Sequence, residues 1–154
     1  MSPANRFRAP LTLLAMLWLP TVVWANSPPA ADTPEVGTVP TVVQTDAAEL
    51  RAAGNGQATL RTLAQGNKAF VARLELAPGA LVPEHRDESE EYIVVLSGGG
   101  TLTFEGKPYV IEAGSAVFMP AGAQVSFVNG AEPLVALQVF AGPASAAKYE
   151  TWAV

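Results

Sequence analysis

The sequence predicts an all-β domain built as an antiparallel sandwich or barrel. From about residue 60 onwards, eight to ten short apolar segments follow one another at regular spacing, separated by Gly-containing turns. No βαβ unit or internal repeat is present, and the glycine run at 98–100 lacks the following helix of a phosphate-binding loop. A chain of 154 residues is long enough for one hydrophobic core, and without cysteine it must fold without disulfides.

The first 25 residues have the features of a secretory signal peptide. Arg6 and Arg8 precede an apolar run at 11–19, Pro20 ends that run, and the predicted cleavage follows residue 25. The run is shorter than the ~20 residues that span a bilayer, so an uncleaved anchor is the less favoured alternative. We therefore expect an exported protein, periplasmic or extracellular, with no membrane contact after cleavage.

The charge of the chain excludes some classes of partner. The sequence has nine basic and fourteen acidic residues, and loss of residues 1–25 removes Arg6 and Arg8 but no acid. The mature chain therefore carries a net charge of −7, which argues against nucleic acid and anionic membranes as partners. Cations and neutral polar molecules remain compatible with this charge.

Composition divides the rest of the chain into three parts. Residues 26–38 are rich in Pro, Ala and Thr, which predicts a flexible leader. Residues 39–142 contain the strand pattern and form the predicted barrel domain. Residues 143–154 form a predicted C-terminal docking tail, in which Tyr149 and Trp152 could pin the chain back onto the barrel or contact another subunit.

The domain begins with a predicted strand and a predicted short helix. Residues 39–44 alternate well enough for a first strand, and residues 46–53 predict at most two helical turns. Asp46 would be the N-cap, Glu49 follows three residues later, and Gly54 would end the helix.

All later elements are predicted strands joined by turns. Gln-Gly-Asn at 65–67 predicts a tight hairpin, and Asn129-Gly130 is a strong type I′ hairpin dipeptide. The predicted strands cover residues 60–64, 68–77, 91–96, 101–105, 109–112, 116–119, 124–128 and 134–140.

The chemistry is concentrated in residues 79–98. This stretch holds the only histidine, His85, and five carboxylates at positions 84, 87, 88, 90 and 91. If these groups face inward they need a cation, an arginine or proton uptake, and if they face outward they form a solvated loop. His85 and Asp87 would share one side of a strand, and an inward Glu91 on the next strand would meet them across a hairpin.

The spacing in this stretch resembles the first motif of the cupin superfamily, and a second motif follows in register. The first, G-x5-H-x-H-x3-4-E-x6-G, is matched at Gly79, His85, Asp87, Glu91 and Gly98, with aspartate in place of the second histidine. The second, G-x5-P-x-G-x2-H-x3-N, is matched at Gly114, Pro120, Gly122, Val125 and Asn129, with valine in place of histidine. The resemblance covers about residues 60–142 and implies an antiparallel jelly-roll barrel with its site in the mouth, often in a homodimer.

The resemblance also implies a metal site, which this chain keeps only in part. A cupin site usually takes three histidines and one glutamate, whereas this chain offers His85, Asp87 and Glu91, and Val125 cannot ligate. One nitrogen and two carboxylates suit Mn²⁺, Fe²⁺, Mg²⁺ or Ca²⁺ better than Zn²⁺ or Cu²⁺. Without metal, the same groups would form a polar clasp around an imidazolium, or have only a structural role.

Two other residues are candidates for ligand contact. Gln138 interrupts an apolar strand and would orient a ligand if it faced inward, although the outward orientation is favoured here. Phe127 shares a face with Val125 and would belong to an apolar wall, either as part of a pocket or as barrel core.

We therefore predict an exported single-domain cupin that binds a small polar ligand in its barrel, with weak or no divalent metal. The alternative is a metal-dependent enzyme of dioxygenase, isomerase or lyase type that uses His85, Asp87 and Glu91. A structural dimer in an envelope assembly is a third class, supported only by the apolar strands and the aromatic tail. The sequence names no substrate.

Overall fold

The structure, a computed structural model, describes residues 39–154, so the predicted signal peptide and leader lie outside the described residues. The described chain is mostly β-structure, with a short 3-10 segment near each end. The strands are β1 (Leu50–Ala53), β2 (Ala58–Gln65), β3 (Phe70–Leu76), β4 (Leu81–Arg86), β5 (Glu91–Ser97), β6 (Gly99–Phe104), β7 (Lys107–Glu112), β8 (Ala116–Met119), β9 (Gln124–Asn129) and β10 (Leu134–Phe140). Within this part of the chain, no helix is both long enough and apolar enough to cross a membrane.

Two antiparallel sheets enclose one hydrophobic core, in the jelly-roll arrangement that the motifs predicted. The first sheet has the strand order β1-β2-β3-β10-β5-β8, and the second has the order β4-β9-β6-β7. Buried side chains of both sheets form a single apolar cluster between them. The predicted all-β fold class is therefore confirmed.

Strands β3 and β10 form the most buried part of the first sheet. Each strand buries every second residue, as the two-residue period of a strand requires. Phe70 and Phe140 lie opposite each other in the register, and their rings stack with centroids 4.9 Å apart. Burial of one such side chain contributes roughly 1.5–3 kcal/mol, so this pair helps to fix the register of the two strands.

The predicted hairpin at 65–67 is present, because β2 and β3 pair on either side of it. The hairpin predicted at Asn129-Gly130 is wrong. Strand β9 pairs with β4 and β6, whereas β10 pairs with β3 and β5, so this connection crosses between the sheets. The amide of Asn129 is buried and donates to the carbonyl groups of Leu76, Ala77 and Glu132, which ties the crossover to the end of β3.

Both predictions for the start of the domain are wrong. Residues 39–44 form no strand, and the predicted helix is reduced to one 3-10 turn at Thr45–Ala47. Strand β1 replaces the rest of that helix, because pairing with β2 supplies the hydrogen bonds that an isolated two-turn helix would lack. A turn with positive φ at Gly54, Asn55 and Gly56 joins the two strands.

The last residues pack against the first sheet. The 3-10 segment Pro143–Thr151 brings Tyr149 into the core, edge-on to the rings of Phe70, Phe140 and Trp152. Ala153 then forms a β-bridge with Ala52 on β1, closed by hydrogen bonds of 2.7 and 3.0 Å.

The charged stretch is divided between the two sheets. His85 lies on β4 in the second sheet and Glu91 begins β5 in the first, and these strands do not pair with each other. The prediction that the two residues meet across a hairpin is therefore wrong. The backbone N–H of Gly122 donates to the carbonyl of Asp87 at 2.7 Å, which holds the connecting loop against the turn before β9.

Candidate functional site

A cavity of about 360 Å³ lies between the two sheets. Most of its wall is apolar and comes from both sheets. Four of its polar residues, His85, Glu91, Gln138 and Lys148, belong to one electrostatically connected group with Asp87. Representative apolar lining residues are Leu74, Ile93, Leu102, Val117, Met119 and Phe127.

His85 is held by one backbone carbonyl and one carboxylate. Its Nδ1 lies 2.8 Å from the carbonyl oxygen of Pro83, so this nitrogen carries a proton and donates it. Its Nε2 lies 3.5 Å from Oδ2 of Asp87. The interaction with Asp87 raises the pKa of His85, and the bond to Pro83 adds to this, although burial opposes both. These contacts stabilise the imidazolium form relative to that of a free histidine, which is the direction that the clasp requires.

Asp87 joins His85 to a lysine from the far end of the chain. Its Oδ1 accepts a hydrogen bond of 2.7 Å from Nζ of Lys148. Burial disfavours the charged carboxylate, but the interactions with His85 and Lys148 outweigh it and lower the pKa of Asp87. Asp87 is therefore ionised at neutral pH, between the ammonium group of Lys148 and the imidazole of His85.

Glu91 is the most buried acid of the group, with 4% of its surface exposed. Its Oε1 accepts a hydrogen bond of 2.7 Å from Nε2 of Gln138. Burial raises the pKa of Glu91 to about 7, and the charge of Lys148 opposes this only in part. Gln138 thus faces inward, contrary to the orientation that the sequence favoured. Glu91 can exchange a proton near neutral pH, at the wall of a largely apolar cavity.

The position of the missing cupin histidine is apolar. Val125 on β9 lies directly opposite His85 on β4, and both Val125 and Phe127 are buried and line the cavity. Within residues 39–154, no three His, Cys, Asp or Glu side chains are placed to hold one metal ion. In this part of the chain, His85, Asp87 and Glu91 are thus not placed as three ligands of one ion.

Lys148 is the site residue that sequence reasoning missed. Its Nζ lies 4.3 Å from the ring centroid of Phe140 and 5.1 Å from that of Tyr149, in addition to its bond to Asp87. The only sequence signal is that Lys148 is the sole basic residue after Lys107. That signal could not place it 61 positions away, beside the charged stretch.

Except for Lys148, the polar residues of this site lie within a match to a known protein family. The family model described as a cupin domain matches residues 72–140, which include His85, Asp87, Glu91 and Val125. Over these residues the chain has a cupin domain. The family predicted from the two motifs is thus confirmed.

One curated relative of this cupin is dimethylsulfoniopropionate lyase DddW from Ruegeria pomeroyi. The two chains are 33% identical over 84 residues, which is 51% of this cupin and 55% of the lyase. The cupin therefore spans about half the length of this relative.

Solved structures share the fold. A predicted oxalate decarboxylase from Thermotoga maritima is 28% identical, with a TM-score of 0.61 over 66% of this cupin and 99% of that chain. An RmlC-like cupin from Shewanella frigidimarina is 16% identical, with a TM-score of 0.62 over 68% of this cupin and 92% of that chain. At 16% identity, the similarity to the Shewanella frigidimarina protein concerns the fold alone.

Proposed function

We propose that this cupin binds a small molecule with an apolar body and one polar end inside its barrel. The observation that carries this is the cavity of about 360 Å³, whose wall is apolar apart from a few polar groups. Ligand pockets typically have volumes of about 300–1,000 Å³ and a few polar groups that set orientation. The sequence predicted a small polar ligand, and the apolar wall restricts this to a ligand that is polar at one end only. A wholly polar molecule would lose hydration against the wall.

The polar end of the ligand would carry a hydroxyl or carbonyl group. Gln138 and Lys148 bring donors to the cavity wall, and Glu91 brings a carboxyl group whose pKa is raised to about 7. His85 adds an imidazole whose pKa is also raised. Glu91 can donate a hydrogen bond when protonated and accept one when ionised. A hydroxyl or carbonyl oxygen of the ligand can accept a hydrogen bond from Gln138, from Lys148 or from protonated Glu91.

Thermal unfolding with a panel of alcohols, ketones and carboxylic acids of five to eight carbons tests the proposal. A ligand at 100 times its dissociation constant stabilises the folded state by about 2.7 kcal/mol, which raises Tm by several degrees. Val117→Phe should abolish the effect by filling the cavity, whereas Val128→Phe, at an exposed position, should leave it intact. Stabilisation by no member of the panel, or equal stabilisation of both variants, would contradict the proposal.

A metal-dependent enzyme is the second candidate function. The observations that favour it are the similarity to a lyase and to a predicted decarboxylase. Metal analysis of protein purified without chelators distinguishes the two functions. Near-stoichiometric Mn or Fe that is lost in His85→Ala and Glu91→Ala would favour the enzyme, and its absence from the wild type would favour metal-free binding.

We also propose that the mature protein is exported. Support comes from the basic residues, apolar run and cleavage pattern in residues 1–25. N-terminal sequencing of the protein recovered from the periplasm or medium should begin at Asn26. Intact protein confined to the cytoplasm would contradict export.

The outer face of the first sheet supports a homodimer. On β5 and β8, the side chains of Tyr92, Val94, Leu96 and Phe118 are 42–52% exposed on the side away from the core. The rings of Tyr92 and Phe118 lie 5.1 Å apart, and Val94 opposes the outward Leu137 on β10. The solvent face of an antiparallel sheet is ordinarily polar, and a connected apolar area of this kind is typical of an interface.

A further inference from the structure

Lys148 lies beside two of the residues that the cupin motif predicts as metal ligands, Asp87 and Glu91. We propose that its ammonium group is a built-in cation that takes the place of a metal ion at the barrel mouth and keeps divalent cations out. The inference is independent of the proposed ligand, because it concerns only which cation balances the carboxylates of Asp87 and Glu91.

The contacts of the ammonium group are those of a resident cation. Nζ of Lys148 lies 2.7 Å from Oδ1 of Asp87, and its charge also acts on Glu91. These are two of the three positions where the motif predicts metal ligands. The group also lies over the ring of Phe140, at 4.3 Å, so an apolar neighbour covers one side of it without competing for the charge.

The C-terminal segment is fixed on both sides of Lys148. Before it, the hydroxyl of Ser145 lies 2.6 Å from that of Ser89, in the loop that carries Asp87. After it, Tyr149 is buried in the core and Ala153 is bridged to β1. The ammonium group is therefore held at the site by packing and backbone hydrogen bonds as well as by its own ion pair.

Charge and geometry together explain why a divalent cation would not enter. A divalent ion within a few ångströms of the ammonium group would be repelled strongly at the low dielectric of a partly buried site. It would also have to displace Lys148 from Asp87 and recruit His85, whose Nδ1 is already bonded to Pro83. Val125 offers no replacement ligand.

Calorimetric titration of the full chain with MnCl₂ tests the inference. Lys148→Met keeps an unbranched side chain of similar length but removes the charge, and we expect it to bind Mn²⁺ at least tenfold more tightly than the wild type. Lys148→Arg keeps the charge and Lys107→Met removes a charge from the exposed strand β7, so both should behave like the wild type. No gain in Lys148→Met, or a wild type that already binds Mn²⁺ as tightly, would overturn the inference.

Restoring the missing histidine gives a second test that retains Lys148. Val125→His places an imidazole opposite His85, and we expect little Mn²⁺ or Ni²⁺ binding while Lys148 is present. Val125→His combined with Lys148→Met should bind at least tenfold more tightly than Val125→His alone, and a further His85→Ala should reverse this. Tight binding by Val125→His alone would show that the ammonium group excludes nothing. Circular dichroism of each variant verifies that it is folded.

Discussion

At the scale of single residues, the site depends on how burial and neighbouring charge act on three titratable groups. His85 and Asp87 support each other's charged forms, whereas burial drives Glu91 towards its neutral form. The pKa values of His85 and Glu91 are thus raised and that of Asp87 is lowered, although the three groups lie within seven positions of the chain. Each shift can be measured separately.

The imidazole of His85 should titrate in NMR with a midpoint above that of a free histidine. The physical reason is the carboxylate of Asp87 near Nε2 and the hydrogen bond of Nδ1 to Pro83. Asp87→Asn should lower the midpoint, whereas Glu88→Gln, at an exposed position of the same loop, should not change it. A midpoint in the wild type at or below that of a free histidine would rule out the clasp.

Glu91 should make the folded state less stable as the pH rises. Because its pKa is raised from 4.5 to about 7, its contribution is fully present below pH 4.5 and is lost as the pH rises through about 7. The loss amounts to about 3 kcal/mol. Asp87, whose pKa is lowered, stays ionised across this window, while His85 changes stability in the same direction as Glu91.

Urea unfolding at pH 5 and pH 8 measures this effect. The wild type should lose about 2–3 kcal/mol more free energy of unfolding between these values than Glu91→Gln, which cannot titrate. Glu84→Gln, on the exposed side of β4, should behave like the wild type. An equal pH dependence in the wild type and Glu91→Gln would mean that Glu91 is not the group responsible.

At the scale of the element, strand β6 begins with glycines that leave no room for a side chain. A Cβ atom on Gly100 would lie 2.3 Å from the backbone oxygen of Val128 on β9 and 2.7 Å from the ring of Phe127. Gly100→Ala should therefore destabilise the fold by about 1–3 kcal/mol, since the obstructing carbonyl belongs to the paired strand.

The same substitution at Gly66 is the matched control. A Cβ atom there would lie 3.7 Å from the carbonyl oxygen of Ala69, an ordinary contact in the β2–β3 hairpin. Gly66→Ala should change the free energy of unfolding by no more than about 0.5 kcal/mol. Similar denaturation midpoints for Gly100→Ala and the wild type would contradict the close approach of β6 to β9.

Sequence patterns predicted elements well where local chemistry determines them. Strands β8 and β10 have the predicted bounds, and the hairpin between β2 and β3 follows from its turn residues. The patterns failed where a partner that is distant in the sequence determines the structure of a segment. Residues 50–53 have helical propensity but pair with β2, and Asn129 has turn propensity but is bonded to the carbonyl groups at the end of β3. Local propensity cannot include such partners.

The candidate site shows the same limit. The motif spacing identified His85, Asp87 and Glu91, and Val125 lies opposite His85 in the structure. Alternation could not orient Gln138, because almost every neighbour on β10 is apolar. Lys148 could not be predicted, because it reaches Asp87 through long-range packing of the C-terminal segment, including that of Tyr149 in the core.

At the scale of the whole molecule, the apolar outer face of the first sheet is the proposed contact between two copies of the barrel. We expect a dimer in sedimentation analysis of the full chain, with the faces around Tyr92 and Phe118 packed together. Phe118→Asp should shift the protein to monomer by placing a charge in the contact. Val110→Asp, on an exposed apolar position of the second sheet, should leave the dimer intact, and a wild type that sediments as a monomer would contradict the interface.

The bridge between Ala52 and Ala153 has a consequence for solubility. Strand β1 is the outermost strand of its sheet, and a free outermost strand is a template on which another chain can add a strand of its own. The C-terminal residues occupy hydrogen-bonding positions on this strand. Proteolytic loss of those residues would uncover a growth point for aggregates, even with the interior of the barrel unchanged.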